Sequence, residues 1–200
     1  MNRTDDSALS PYWPAGWNLH PYTVVDRMRA TYFQSSGPTI TRYPVRFLRY
    51  WYMRQLLEAH ARHLGRPISV LEIGVDMGQQ LTFMDAPRSG TLPAIVSRWD
   101  AVDLAANPDA LQSLGYSNYI RMNLEGGAEP PLKQRYDAMI FLHVLEHLHA
   151  PEACLRAFLP FLADDGVLMG GAPTIPKLVA DFGYEKRLAL DEVVQMMGGL

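Results

Sequence analysis

The sequence has a single cysteine, Cys154. One cysteine excludes an intramolecular disulfide framework and fits a reducing, cytoplasmic compartment. Its expected place is a helix face, where it would serve as buried filler. Long apolar runs are also missing, so no segment approaches membrane-spanning length. Met1–Ser10 is polar and lacks the apolar stretch of a signal peptide. Charge of one sign is scarce: the net value of −3 argues against nucleic-acid binding by bulk electrostatics. There is no phosphate-loop Gly-Lys-Ser/Thr and no dinucleotide Gly-x-Gly-x-x-Gly, which weakens nucleotide hydrolysis and hydride transfer as functions. Internal repeats and low-complexity segments are absent. The chain is 48% hydrophobic and 20% charged over 200 residues, which suits one domain with a substantial core.

Two regions differ in character. Residues 1–42 are rich in proline, glycine and aromatics, including Tyr12, Trp13, Trp17, Tyr22, Tyr32 and Phe33. They read as an irregular arm, with one short helix near Val24–Tyr32, that straps or lids the remainder. Residues 43–200 form the main α/β domain. A helix is expected from Pro44 to Leu64, where Phe47, Leu48, Trp51, Leu56, Leu57 and His60 recur at helical spacing until Gly65-Arg66-Pro67. The arginines Arg42, Arg46, Arg49 and Arg54 then mark a solvated face.

Strands and helices alternate beyond it. Strands are expected at Ile68–Ile73, Val96–Val102, Tyr119–Leu124, Tyr136–Leu142 and Val167–Gly171. Helices are expected at Gly78–Met84, Asn107–Leu114 and Pro151–Leu162. Such alternation implies a doubly wound, mostly parallel sheet. No strand pair is visible in Pro173–Leu200, where Leu188–Met197 reads as helical. The fifth strand is therefore expected at an edge, with a truncated or shortened sheet and a homodimer as compensation.

Residues 70–78, Val-Leu-Glu-Ile-Gly-Val-Asp-Met-Gly, carry the most information. An apolar strand ends in an acid, and a turn with Gly74 and Gly78 follows at once. Glycine permits positive φ and close backbone approach, and the helix beyond presents free N–H groups, so a cofactor cleft is expected here. Asp103 ends the second strand. His143-Val144-Leu145-Glu146-His147-Leu148 follows the fourth, Pro151-Glu152 opens a helix, and Asp165-Gly166-Val167-Leu168 enters the fifth strand.

In order and spacing this set resembles the class I S-adenosylmethionine-dependent methyltransferases, above all the group related to ubiquinone-biosynthesis O-methyltransferases. The resemblance covers roughly residues 68–172. It implies S-adenosylmethionine as cofactor and a Rossmann-like fold. It places Gly74 and Gly78 against the methionine part of the cofactor and Asp103 on the ribose hydroxyls. Glu72 would orient the loop and reach the amino group through water. Asn123 and Leu124 would meet the adenine, and His143 would lie beside the transferable methyl. Asp76 stands where the family has its middle glycine; its carboxylate would repel the cofactor's carboxylate or accept a hydrogen bond from its ammonium.

The resemblance implies O-methylation of a small molecule such as a sugar, a quinone or another metabolite, with His143 or His147 as general base. Other readings stay open. His143-x-x-Glu146-His147 spells the inverted zincin pattern, which needs a long helix and a further glutamate. Related small-RNA 2′-O-methyltransferases hold a divalent ion here, but the later histidine they use is missing, and no metal is expected. A non-catalytic methyltransferase-like protein that binds a partner is the main alternative.

Overall fold

The computed structural model describes residues 45–84 and 90–172. The aromatic arm and the segment after Ala172 lie outside the described residues. Helix α1 spans Val45–Leu64. Its buried residues, Tyr50, Met53, Leu57, His60 and Ala61, follow a three-four spacing, whereas Leu56 is turned out to solvent. The expected apolar face is thus shifted by one position at Leu56. Gly65, at φ 66°, ends the helix. The amides of Gly65 and Arg66 bond the carbonyls of Arg62 and Ala61, a left-handed cap that suits glycine.

Strand β1, Ile68–Ile73, leads into the short helix α2, Gln79–Phe83. Strand β2 is Val96–Asp103 and helix α3 is Pro108–Leu114. Asn107 caps α3, its side chain accepting from the amides of Asp109 and Ala110, with Pro108 in the first turn where its missing N–H costs nothing. Strand β3 is Asn118–Arg121. It stops three residues short of the expected end at Leu124. Asn123 Oδ1 accepts from the Glu125 amide at 3.0 Å, and Leu124 takes helical dihedrals, so the chain turns away into a single 3-10 turn at Glu125–Gly127.

Strand β4 is Tyr136–Leu142, followed by a 3-10 turn at Leu145–His147. Helix α4, Pro151–Phe158, ends sooner than expected, because Pro160 lies in a 3-10 turn at Leu159–Phe161. Strand β5, Leu162–Gly171, therefore starts earlier. Its pairing with β4 jumps from Leu162 opposite Tyr136 to Val167 opposite Ala138, so Asp164-Asp165-Gly166 bulges from the strand instead of preceding it.

The five strands lie in the order β3-β2-β1-β4-β5, and every pair is parallel. The chain runs outward from β1 through β2 and β3, then returns to β4 on the other side. Ligands of open α/β sheets bind outside the carboxyl ends of the strands at such a switch point. Residues alternate between two cores. Ile68, Val70, Ala101, Ala138 and Ile140 meet α1, α2 and α3; Leu71, Ile73, Val102, Met139 and Phe141 meet α4. Phe141 and Phe158 pack edge to face at 5.7 Å. Among the described residues β5 forms one edge of the sheet.

At the opposite end of the strands Arg66 grips both oxygens of Asp137, at 2.6 and 2.9 Å, and the Ser69 amide and hydroxyl add two bonds to it. This fork holds the Asp137 carboxyl down to about 2 and ties the start of β1 to β4.

Candidate active site at the carboxyl ends of β1, β2 and β4

Three loops meet at the switch point. In the loop after β1, φ is 71° at Gly74, 50° at Asp76 and 71° at Gly78. Positive φ thus recurs at every second residue, which is the physical content of glycine at alternate positions. Asp76 occupies the middle position. Aspartate visits this region more readily than most side chains, so the departure from glycine is tolerated at about 1 kcal/mol.

The two glycines are needed for contact as well. A Cβ on Gly74 would lie 2.2 Å from Val144 Cγ2, so its absence lets the β1 loop touch the turn after β4. A Cβ on Gly78 would lie 2.8 Å from Leu114 Cδ1 and 2.9 Å from Tyr116 Cε2. That bare backbone seats the start of α2 against α3.

Asp103 joins the β1 and β2 loops. Its Oδ2 accepts from the Asp76 amide at 3.0 Å, and its Oδ1 accepts from the amides of Ala105 and Ala106 at 2.8 and 3.1 Å. A carboxylate offers about four lone-pair positions, so about one remains for a ligand. Met77 and Leu104, each next to one of these acids, expose apolar side chains at the same mouth. An apolar residue directly after each acid was the available sequence signal for them.

Glu72 lies beneath the loop. It is buried, and its Oε2 accepts from Tyr116 OH at 2.7 Å and from Trp99 Nε1 at 3.0 Å. Burial pushes its carboxyl up to about 7; the two donors oppose the rise and the nearby Asp103 adds to it. Its partners lie 27 and 44 residues away, and nothing local in the sequence points to them.

His143 follows β4 in the left-handed region, at φ 57°. Its amide bonds the Gly171 carbonyl at 2.7 Å. Its Nδ1 lies 3.1 Å from Glu146 Oε1, and Glu146 is only 1% exposed. His147 is exposed on the 3-10 turn. The turn is too short for a zincin helix. Among the described residues no three His, Cys, Asp or Glu side chains are grouped to hold a metal. Asn123 is exposed, Leu124 packs on the α4 core, and Glu125 holds the His149 amide and ring. This last clasp pins the loop after β3 to the start of α4.

The chain matches the methyltransferase domain family model over residues 45–187. The chain belongs to this family. It is an S-adenosylmethionine-dependent methyltransferase, and the cofactor is S-adenosylmethionine. Membership of the ubiquinone O-methyltransferase-like group is a finer assignment than the match carries.

No curated protein matches the chain by sequence. Among solved structures, this methyltransferase is similar to the N-methyltransferase NodS from Bradyrhizobium japonicum WM9 in complex with S-adenosyl-l-homocysteine. The TM-score is 0.55 at 14% identity, covering 89% of this chain and 86% of that one. It is also similar to the CurJ carbon methyltransferase, with a TM-score of 0.53 at 17% identity over 67% of this chain and 41% of that one. The [4+2]-cyclase SpnF shares the fold at a TM-score of 0.50 and 12% identity, over 73% of this chain and 56% of that one. At such identities the likeness is one of fold, and the acceptor has to be argued from the site.

Proposed function

We propose that this methyltransferase alkylates a hydroxyl of a small molecule, such as a sugar, a quinone or another metabolite, with His143 taking the hydroxyl proton. The observation that carries the reading is the His143–Glu146 pair at the end of β4. Nδ1 is committed to Glu146, and among the described residues Nε2 has no partner. An imidazole so held can take a hydroxyl proton on its free nitrogen.

The chemistry of the site suits the cofactor. Asp103 offers its remaining lone pair to a ribose hydroxyl, at the strand end where acids of dinucleotide folds play the same part. Gly74 and Gly78 turn the loop that meets the methionine part, and Asp76 is placed in the same loop to accept from its ammonium. Asn123 and Leu124 border the adenine, with Met77 and Leu104 as apolar walls. Glu72 holds the loop from below through Trp99 and Tyr116.

When bound, the cofactor supplies an electrophilic methyl on a good leaving group. Positioning then provides most of the acceleration, and His143 removes the proton that the acceptor oxygen sheds. His147, exposed one turn on, is the second candidate for this role.

The test is release of S-adenosylhomocysteine against a panel of hydroxylated acceptors. His143→Ala should lower turnover by about a hundredfold or more while cofactor affinity holds. Full turnover in that variant, across the pH range, would refute the assignment.

A further inference from the structure

Glu146 is a poor structural brace. Its side chain is buried, and one oxygen, Oε1, meets His143 Nδ1 at 3.1 Å. The other, Oε2, is buried with no hydrogen-bond partner among the described residues. Leaving a buried carboxyl oxygen unpaired is costly, and a glutamate kept there only to fill space would be bettered by an apolar side chain. Among the described residues no Lys or Arg is paired with it, and the only basic group it meets is His143. The imidazole is itself over-determined. Its backbone is held at φ 57°, with its amide on Gly171. Val144, next in the chain, is wedged against Gly74. Strained, multiply anchored backbone of this kind is characteristic of positions whose side-chain direction matters.

We infer that Glu146 is the positioning residue of the His143 base: it accepts the Nδ1 proton, so that Nε2 is kept unprotonated toward the acceptor. This rests on the reading of His143 as base. In the neutral ring one nitrogen donates and the other accepts, and the bond made by the first decides which. A carboxylate can only accept, so Nδ1 carries the hydrogen and Nε2 keeps its lone pair. When the acceptor hydroxyl gives up its proton, the O–H bond breaks and a new N–H bond forms at Nε2. The imidazolium so formed faces the Glu146 carboxylate, which then gains the cation it lacks in the resting state. Glu146 itself does not touch the acceptor.

The experiment reads the ring directly. Nitrogen-15 NMR of the histidine-labelled full chain, free of cofactor and above pH 8, should show the His143 Nδ1–H form in the wild type. In Glu146→Ala the Nε2–H form should become populated. Glu146→Gln keeps the volume, so it should fold, but its amide can donate as well as accept, so both tautomers should be populated in it. On an acceptor found in the panel, Glu146→Ala should lose on the order of a hundredfold in kcat with the cofactor Kd unchanged, and Glu146→Gln should recover part of that loss. A ring already Nε2–H in the wild type, or a tautomer indifferent to Glu146→Ala, overturns the inference. So does full kcat in a folded Glu146→Ala protein when His143→Ala is inactive. Full activity of His143→Ala instead sinks the base assignment, an outcome the NMR readout keeps separate.

Discussion

Replacing Glu72 by glutamine should stabilise this protein at alkaline pH and do progressively less as the pH falls. Glu72 is enclosed at the centre of the fold with two donors, Trp99 and Tyr116, on one oxygen and, among the described residues, no cation beside it. Its carboxyl is pushed from 4.5 to about 7 by burial. Between those values the folded protein holds a proton that the unfolded chain has released. Stability therefore declines as pH rises from about 4.5 to about 7, and above that range the cost of burying the charge is complete. The rise corresponds to about 3 kcal/mol.

Glutamine can accept from both donors with its amide oxygen and does not ionise. The stability difference between Glu72→Gln and wild type should thus grow by about 3 kcal/mol between pH 4 and pH 8.5. For a domain of this size that is about 6–12 °C in melting temperature. Urea unfolding of both proteins at the two pH values measures it, since every other titrating group cancels in the difference. A difference that does not change with pH would refute the buried, unpaired carboxylate, and so would destabilisation by glutamine at pH 8.5.

Asp103→Ala should weaken S-adenosylhomocysteine binding by about a hundredfold in calorimetry, from the loss of a charge-assisted contact worth about 2–3 kcal/mol; unchanged affinity in a folded variant would remove Asp103 from the ribose site. Gly74→Ala should cost about 2–4 kcal/mol in thermal unfolding, because its Cβ would fall 2.2 Å from Val144 Cγ2 at a φ of 71°. Adding Val144→Ala should return the steric share but not the backbone share. A cost below about 0.5 kcal/mol for the single change would show that the two loops are not in contact.

Much of the fold is legible in particular residues. The bounds of β1 and β4 follow from short apolar runs that both cores cover, since a strand buried on two faces has no polar alternation to blur its ends. Asn107-Pro108 announces α3 because the capping bond and the fixed proline φ are local effects. The end of β3 is less legible. Tyr119, Ile120 and Met122 are apolar around Arg121, and the Asn123 turn ends the strand before Met122. The shift at Leu56 has a similar cause: α1 is apolar on more than one side, and only contact with α2 and the sheet selects the buried face.

Local features can be read along the chain: the alternation of strands and helices, the alternate small or turn-tolerant residues of the β1 loop, the acid ending β2 and the His-x-x-Glu spacing after β4. Each depends on dihedral preferences or on neighbours within a few residues. The tertiary structure decided which groups answer one another across the chain. It set Glu72 between Trp99 and Tyr116, spent most of the Asp103 lone pairs on three backbone amides, pressed Gly74 against Val144 and left one oxygen of Glu146 buried and bare. Those outcomes depend on strand order and register, which parallel crossovers bring together from residues tens of positions apart, and no periodicity within the chain encodes them.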